Sequence, residues 1–294
     1  MSLLVTLLLV WLRPVLAQAP KPDRASLLQA DRAVSDSSGR RGLRVALRGA
    51  IAEDAVLLYS GAPVVQGGSA ITALLSAQPL LDSLRVEWQP LHAEVSRDGS
   101  LGFTYGVLVT VARGPDAPLR LGKYLAVWRW SPGSGWRVAA CAQLGLTPPE
   151  RVVLPGGIGP LELPRLAPNG PAAAFIHADL DFAALEARST PAVAFRTYAS
   201  ADAVTFPGTG ELNRGPAAIG AAFAGMPPQD WIWYPVVAGA AGSGDLGFTV
   251  GLSVRRPRSG GDPTYTKYLT LWRRDTGGTV RYLADGGNSR PAPP

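Results

Sequence analysis

The chain has one cysteine, Cys141, and two histidines, His92 and His177. A single thiol excludes an internal disulfide and a cysteine-based metal site. Two isolated histidines support neither a histidine metal centre nor a Ser-His-Asp arrangement, so no metal or cofactor is expected. Lysine is also scarce, with three against 25 arginines, and no basic run exceeds two residues. Nucleic-acid proteins concentrate cationic charge on one face or stripe, so the net charge of +6 reads as composition rather than as a nucleic-acid footprint. Long apolar runs are missing beyond the first segment, Met1–Ala17, which Arg13 and Pro14 interrupt. That segment is too short and broken to cross a bilayer, which takes about 20 apolar residues. With Val15 and Ala17 in the small-x-small pattern, residues 1–17 read as a signal peptide cleaved before Gln18. The expected product is periplasmic or secreted, with no stable membrane anchor after cleavage.

Glycine and proline, by contrast, are plentiful at 34 and 27 residues. They exclude a coiled coil or long helical solenoid and point to short elements joined by turns. The dominant feature is a duplication. Asp54-Ala55-Val56 and Gly67-x-x-Ala70-Ile71 recur at Asp202-Ala203-Val204 and Gly215-x-x-Ala218-Ile219, 148 residues later. Trp88-Gln89-Pro90 and Gly102-Phe103-Thr104-Tyr105-Gly106 recur at 145, as Trp233-Tyr234-Pro235 and Gly247-Phe248-Thr249-Val250-Gly251. Lys123-Tyr124-Leu125-Ala126-Val127-Trp128-Arg129 recurs at 144, as Lys267-Tyr268-Leu269-Thr270-Leu271-Trp272-Arg273. One domain is written twice, over residues 24–146 and 172–286. A proline-spaced linker is expected at 147–171 and a disordered tail at 287–294. Gly156-Gly157-Ile158-Gly159 falls in the linker rather than between strand and helix, so it does not read as a phosphate cradle.

Within each copy, helical spacing at Leu27, Leu28 and Val34, and at Phe175, Ile176 and Phe182, comes first. A second helix follows, which in the later copy opens on Thr190-Pro191, an N-cap with a first-turn proline. A third helix starts near Gly67 or Gly215. The period then becomes two, as in Val107/Val109/Val111 and Tyr124/Ala126/Trp128. Helices followed by a meander give an α+β class: two tandem domains, each with about three N-terminal helices and an antiparallel meander.

These motifs, in fixed order and twice over, resemble the nuclear transport factor 2-like superfamily, in particular its ketosteroid isomerase and polyketide-cyclase-like members. The resemblance implies a curved sheet wrapped around helices, with an apolar pocket at the wide end of the cone. It also implies pairing through the outer sheet face, here expected as an intramolecular pseudo-dimer of the two copies. In the isomerases the general base stands five positions after the motif aspartate, which is Tyr59 and Pro207 here. Their second acid stands where this chain has Ala126 and Thr270. With both acids missing from both copies, that isomerase mechanism is not expected.

The remaining acids are Asp31 and Asp179, flanked by apolar residues at i−4 and i+3. A carboxylate on such a stripe sits at a pocket mouth or is buried with partners. Both are candidate catalytic acids or bases. Asp54 and Asp202 read as turn or cap residues, and Lys123 and Lys267 as solvated strand-end lysines. Trp88, Tyr105, Tyr124 and Trp128, with Trp233, Tyr268 and Trp272, are the candidate pocket lining. The reading is a non-enzymatic tandem protein that binds a small apolar ligand or serves as an interaction module. Its alternative is an isomerase, dehydratase or cyclase using Asp31 or Asp179.

Overall fold

In a computed structural model, residues 22–112, 119–145, 152–159 and 163–293 are described. The expected signal peptide lies outside them.

Both copies build the same sequence of elements. In the first, α1 (Arg24–Arg41) and α2 (Leu43–Ala50) lead into β1 (Ile51–Leu58) and β2 (Val65–Gln66). Then come α3 (Gly68–Ser76), a 3-10 turn at Pro79–Asp82, β3 (Leu84–Val95), β4 (Leu101–Ala112), β5 (Leu119–Ser131) and β6 (Gly135–Leu144). In the second, α4 (Ala173–Arg188), α5 (Pro191–Tyr198), β7 (Ala199–Thr205), β8 (Asn213–Arg214) and α6 (Gly215–Ala224) precede β9 (Gln229–Ala240), β10 (Leu246–Pro257), β11 (Thr264–Arg274) and β12 (Val280–Ser289). Local chemistry starts these helices. Asp23 and Ser26 form a reciprocal capping box on α1, and the Thr190 hydroxyl accepts from the Val193 amide ahead of Pro191 on α5.

The sheets run β2-β1-β6-β5-β4-β3 and β8-β7-β12-β11-β10-β9. They are mixed rather than purely antiparallel, because β1 pairs parallel to β6 and β7 pairs parallel to β12. The helices and the long hairpins carry the chain around before the last strand returns beside the first. Asp54 and Asp202 therefore sit within strands, not in turns. Each is exposed and paired with an arginine of its own sheet, Arg129 or Arg273.

One face of each sheet packs on its own helices. The other faces meet each other: Leu125, Val127, Leu269 and Leu271 are fully buried members of one core cluster drawn from both copies. At roughly 1.5–3 kcal/mol for each fully buried side chain of this size, these four residues alone make a strong seam. The seam has approximate two-fold reciprocity, as an isologous interface requires. The Lys123 ammonium donates to the Pro207 carbonyl at 2.9 Å, and the Lys267 ammonium donates to the Tyr59 carbonyl at 3.0 Å. Residues 59 and 207 are equivalent positions. The hairpin tips also exchange bonds, the Ser243 amide to Asp98 at 2.8 Å and the Arg97 amide to Asp245 at 3.1 Å.

This seam corrects the reading of the lysines. Lys267 is fully buried and also donates to the Ser289 carbonyl at 2.6 Å. Its face of the strand is the one that meets the other copy, so no water reaches the ammonium. The expected disordered tail is corrected for the same reason. β12 runs on to Ser289, and the buried Arg290 holds the Tyr265 carbonyl through its amide and the Thr266 carbonyl through its guanidinium. The described part of the linker forms no helix or strand but is packed down. Gln78 pairs with both backbone groups of Val153, and the Arg165 guanidinium lies 4.5 Å over the Tyr234 ring.

Candidate functional site

Between helices and sheet, each copy holds a buried aspartate in the same polar cage. Asp31 on α1 is fully enclosed; the Trp88 indole donates to it at 2.5 Å and the Tyr124 hydroxyl at 2.6 Å. Asp179 on α4 is 1% exposed and accepts from the Tyr268 hydroxyl at 2.9 and 3.1 Å. Behind each cage a second tryptophan donates to a buried threonine, Trp128 to Thr104 at 2.9 Å and Trp272 to Thr249 at 2.8 Å. Gly251 makes the second cage possible. A Cβ there would lie 2.1 Å from the Tyr268 ring, so only glycine lets that ring lie against β10.

Burial dominates the protonation chemistry. It raises the Asp31 carboxyl above the ordinary carboxylate value, against the hydrogen bonds from Tyr124, Trp88 and Thr104. It pushes Asp179 up to about 7, opposed by hydrogen bonds from Thr249, Tyr268 and Trp233, while the nearby Asp285 adds to the rise. Tyr124 and Tyr268 are raised by burial and by the aspartate beside them, so both remain hydroxyl donors.

The spaces next to these cages differ. In the first copy a cavity of about 90 Å³ is walled by apolar side chains such as Leu47, Leu57 and Leu108, with Asp31, Trp88, Tyr124 and Trp128 on its lining. In the second the cavity is about 370 Å³ and is lined by Phe195, Phe223, Trp231, Trp233 and Tyr268. Its floor is polar. The Thr270 hydroxyl donates to Asp285 at 2.6 Å, and burial pushes the Asp285 carboxyl up to about 6. Only one carboxylate oxygen of Asp285 is engaged by this bond; the other has no partner among the described residues.

The structure separates the residues singled out from sequence. Trp88, Tyr124, Trp128, Trp233 and Tyr268 line cavities. Tyr105 does not. In β4 the cavity-facing position is Thr104, so strand alternation turns Tyr105 to the seam, where it stacks on His92 at 5.1 Å. Trp272 is fully buried and packs into the second copy's aromatic core without lining the cavity. Asp31 reaches its cavity lining, whereas Asp179 does not line the larger cavity, which Tyr268 does. Tyr59 and Ala126, and Pro207 and Thr270, line the two cavities, so the positions of the missing isomerase acids do face the space the resemblance implies.

Sequence reasoning missed Asp285 and Arg255. The signal was available in the repeat. Carrying the offset of 144 one strand further sets Asp285 opposite Cys141, and the ladders agree: Cys141 pairs with Leu57 and Ala126, Asp285 with Thr205 and Thr270. Cys141 therefore lines the smaller cavity, and burial pushes its thiol up to about 12, away from nucleophilic use. Among the described residues no group of three or more potential ligands could hold a metal ion, and no helix is long and apolar enough to cross a membrane.

No protein-family model matches the chain, and no curated protein is similar to it in sequence. Solved structures are similar to it. A ketosteroid isomerase-like protein from Erwinia carotovora atroseptica is 14% identical, with 40% of this chain and 95% of that chain covered and a TM-score of 0.35. An NTF2-like protein of unknown function from Pseudomonas putida is 17% identical over 40% of this chain and 85% of that chain, TM-score 0.34. An NTF2-like protein with a cystatin-like fold from Novosphingobium aromaticivorans is 20% identical over 41% and 80%, TM-score 0.34. Likenesses this distant carry nothing about activity; the strand order and helices described above carry the architecture. Each match covers about the share of the chain that one copy occupies.

Proposed function

We propose that this chain is an exported, non-enzymatic binding protein whose second copy holds a small, largely aromatic ligand while the first copy serves as its structural partner. The observation that carries this reading is the divergence of the two cavities. A space of about 370 Å³ lies within the size range of ligand pockets, whereas about 90 Å³ holds little more than a few waters. Aromatic walls with a few polar groups at one end suit a flat apolar molecule oriented by a hydrogen bond. The copies pair through their outer sheet faces, so each cavity lies between its own sheet and helices and reaches the seam at one end, through Tyr59 in the first copy and Pro207 in the second.

Native mass spectrometry of the full chain purified from its host tests this. A small molecule should co-purify, and Thr266→Trp, which fills the larger cavity, should abolish its retention. A chain that carries nothing, or a variant that retains the molecule equally, would overturn the reading.

A second reading rests on Asp285. A half-buried carboxyl held near pH 6 at a cavity floor has the properties of a general acid or base. It would make the second copy a proton-transfer enzyme of isomerase, dehydratase or cyclase type, with Asp285 in the role first assigned to Asp31 or Asp179. Turnover abolished by Asp285→Asn, with the ligand still bound, would favour it.

A further inference from the structure

The larger cavity carries charge of opposite sign at its two ends. Asp285 stands on β12 beside Thr270, and Arg255 stands on β10 beside Thr264. Thr270 and Thr264 are six residues apart on the intervening strand, so the two rows are separated by about 20 Å at roughly 3.4 Å per residue. The reach of the two side chains shortens that gap. Arg255 lines the cavity, with its guanidinium 5.4 Å over the Trp231 ring. It has no carboxylate partner among the described residues, although it is partly buried. A partly buried guanidinium held against an aromatic ring, with its donors uncommitted, is a ready fork for a carboxylate. At the other end, the free oxygen of Asp285 awaits a donor.

Neither group has a charged counterpart in the first copy. The position equivalent to Arg255 is Thr110, and the position equivalent to Asp285 is Cys141. Both charged ends are thus features of the copy with the larger cavity.

We infer that the second copy binds an elongated aromatic carboxylate, its carboxylate on Arg255 and a hydroxyl or amino group at its far end on Asp285. This deepens the proposed binding function and rests on it. The aromatic walls between the two ends sandwich the rings, and the paired charges fix the direction in which the molecule lies.

Fluorescence titration of the full chain with three probes tests the inference: 6-hydroxy-2-naphthoate, 2-naphthoate and 2-naphthol. The hydroxynaphthoate binds most tightly. Arg255→Thr, which installs the first copy's residue, weakens both carboxylates by about tenfold or more and leaves 2-naphthol within about twofold. Asp285→Cys weakens 6-hydroxy-2-naphthoate by about tenfold and leaves 2-naphthoate within about twofold. Arg255→Gln, which keeps a long polar side chain, repeats the first result if the threonine variant melts early. Equal binding of 2-naphthol and 6-hydroxy-2-naphthoate, or equal losses for all probes in the Arg255 variants, overturns the inference while the cavity remains a binding site. Failure of every probe to bind overturns this inference and, where no molecule co-purifies either, the binding function with it.

Discussion

The first copy's interior is closed by Leu57 and Leu108, and the second copy places Thr205 and Ser253 at those positions. Along the final strand the same comparison sets Ala142 and Gln143 against Gly286 and Gly287. The sheet floor of the second copy has lost side-chain volume, and the helices opposite have gained rings: Val34, Leu47 and Leu75 against Phe182, Phe195 and Phe223. Shortened side chains on a rigid sheet leave space that the wider helix residues wall but do not fill. The conserved part is the cage of aspartate, tyrosine and tryptophan next to that space, which both copies keep. Divergence has acted on the cavity, while the framework that positions it is common to both.

The comparison can be broken most forcefully through the aromatic core. Phe182 packs edge-on against Phe195, Trp233 and Trp272, tilted against Tyr198 and stacked on Tyr282. Phe182→Ala should cost about 3–5 kcal/mol in chemical denaturation, whereas Val34→Ala at the equivalent, half-buried position should cost about 1 kcal/mol. Equal losses would show that the second copy's rings are not a cooperative core.

The caged carboxyls give a pH signature. An aspartate whose folded value is raised holds its proton more tightly in the folded state. Its stabilising contribution is therefore complete below the unfolded value and lost as pH rises to the folded one. For Asp179 that window runs from the ordinary value of 3.8 to about 7, with a cost on the order of 4 kcal/mol once the buried group is ionised. Urea midpoints should fall between pH 4 and 7, and Asp179→Asn should flatten the largest single share of that slope, with the raised Asp285 carboxyl carrying the next. Asp31→Asn should flatten less of it. A wild-type profile that is level over this range would remove the case for a strained carboxyl in the second cage.

The smallest expected difference concerns two equivalent arginines. Among the described residues Arg129 pairs with the exposed Asp54 of its own sheet, while Arg273 bridges Asp202 and, across the seam, Glu94 at 2.6 Å. Arg273→Ala should cost about 1 kcal/mol and Arg129→Ala about 0.3 kcal/mol, both shrinking with added salt. Equal effects would mean that the cross-copy pair adds nothing to the seam.

Much of this architecture was legible beforehand, for reasons the residues make plain. Repetition of five motifs in order needs no structure to be seen, and Thr190-Pro191 starts its helix by chemistry confined to four residues. The lysines were misread because Lys267 is solvated or buried according to what covers its strand face, and that cover is the other copy, some 200 residues away in sequence. Tyr105 was assigned by its kind rather than by its parity; the neighbouring Thr104 holds the inward position. Asp285 lies beyond the strong motifs of the repeat, in a strand whose residues differ between the copies, so the ladder, rather than a motif, fixes its match to Cys141.

The sequence by itself determined the duplication and the order of helices and strands in each copy. These follow from residue identity, spacing and local capping, which act over a few neighbours. Tertiary structure alone decided which sheet faces meet, which lysine is buried, and which copy keeps an open interior with an aspartate and an arginine at its ends. Those outcomes depend on volumes and charges contributed by strands far apart in the chain, and only the assembled sheets bring them to one place.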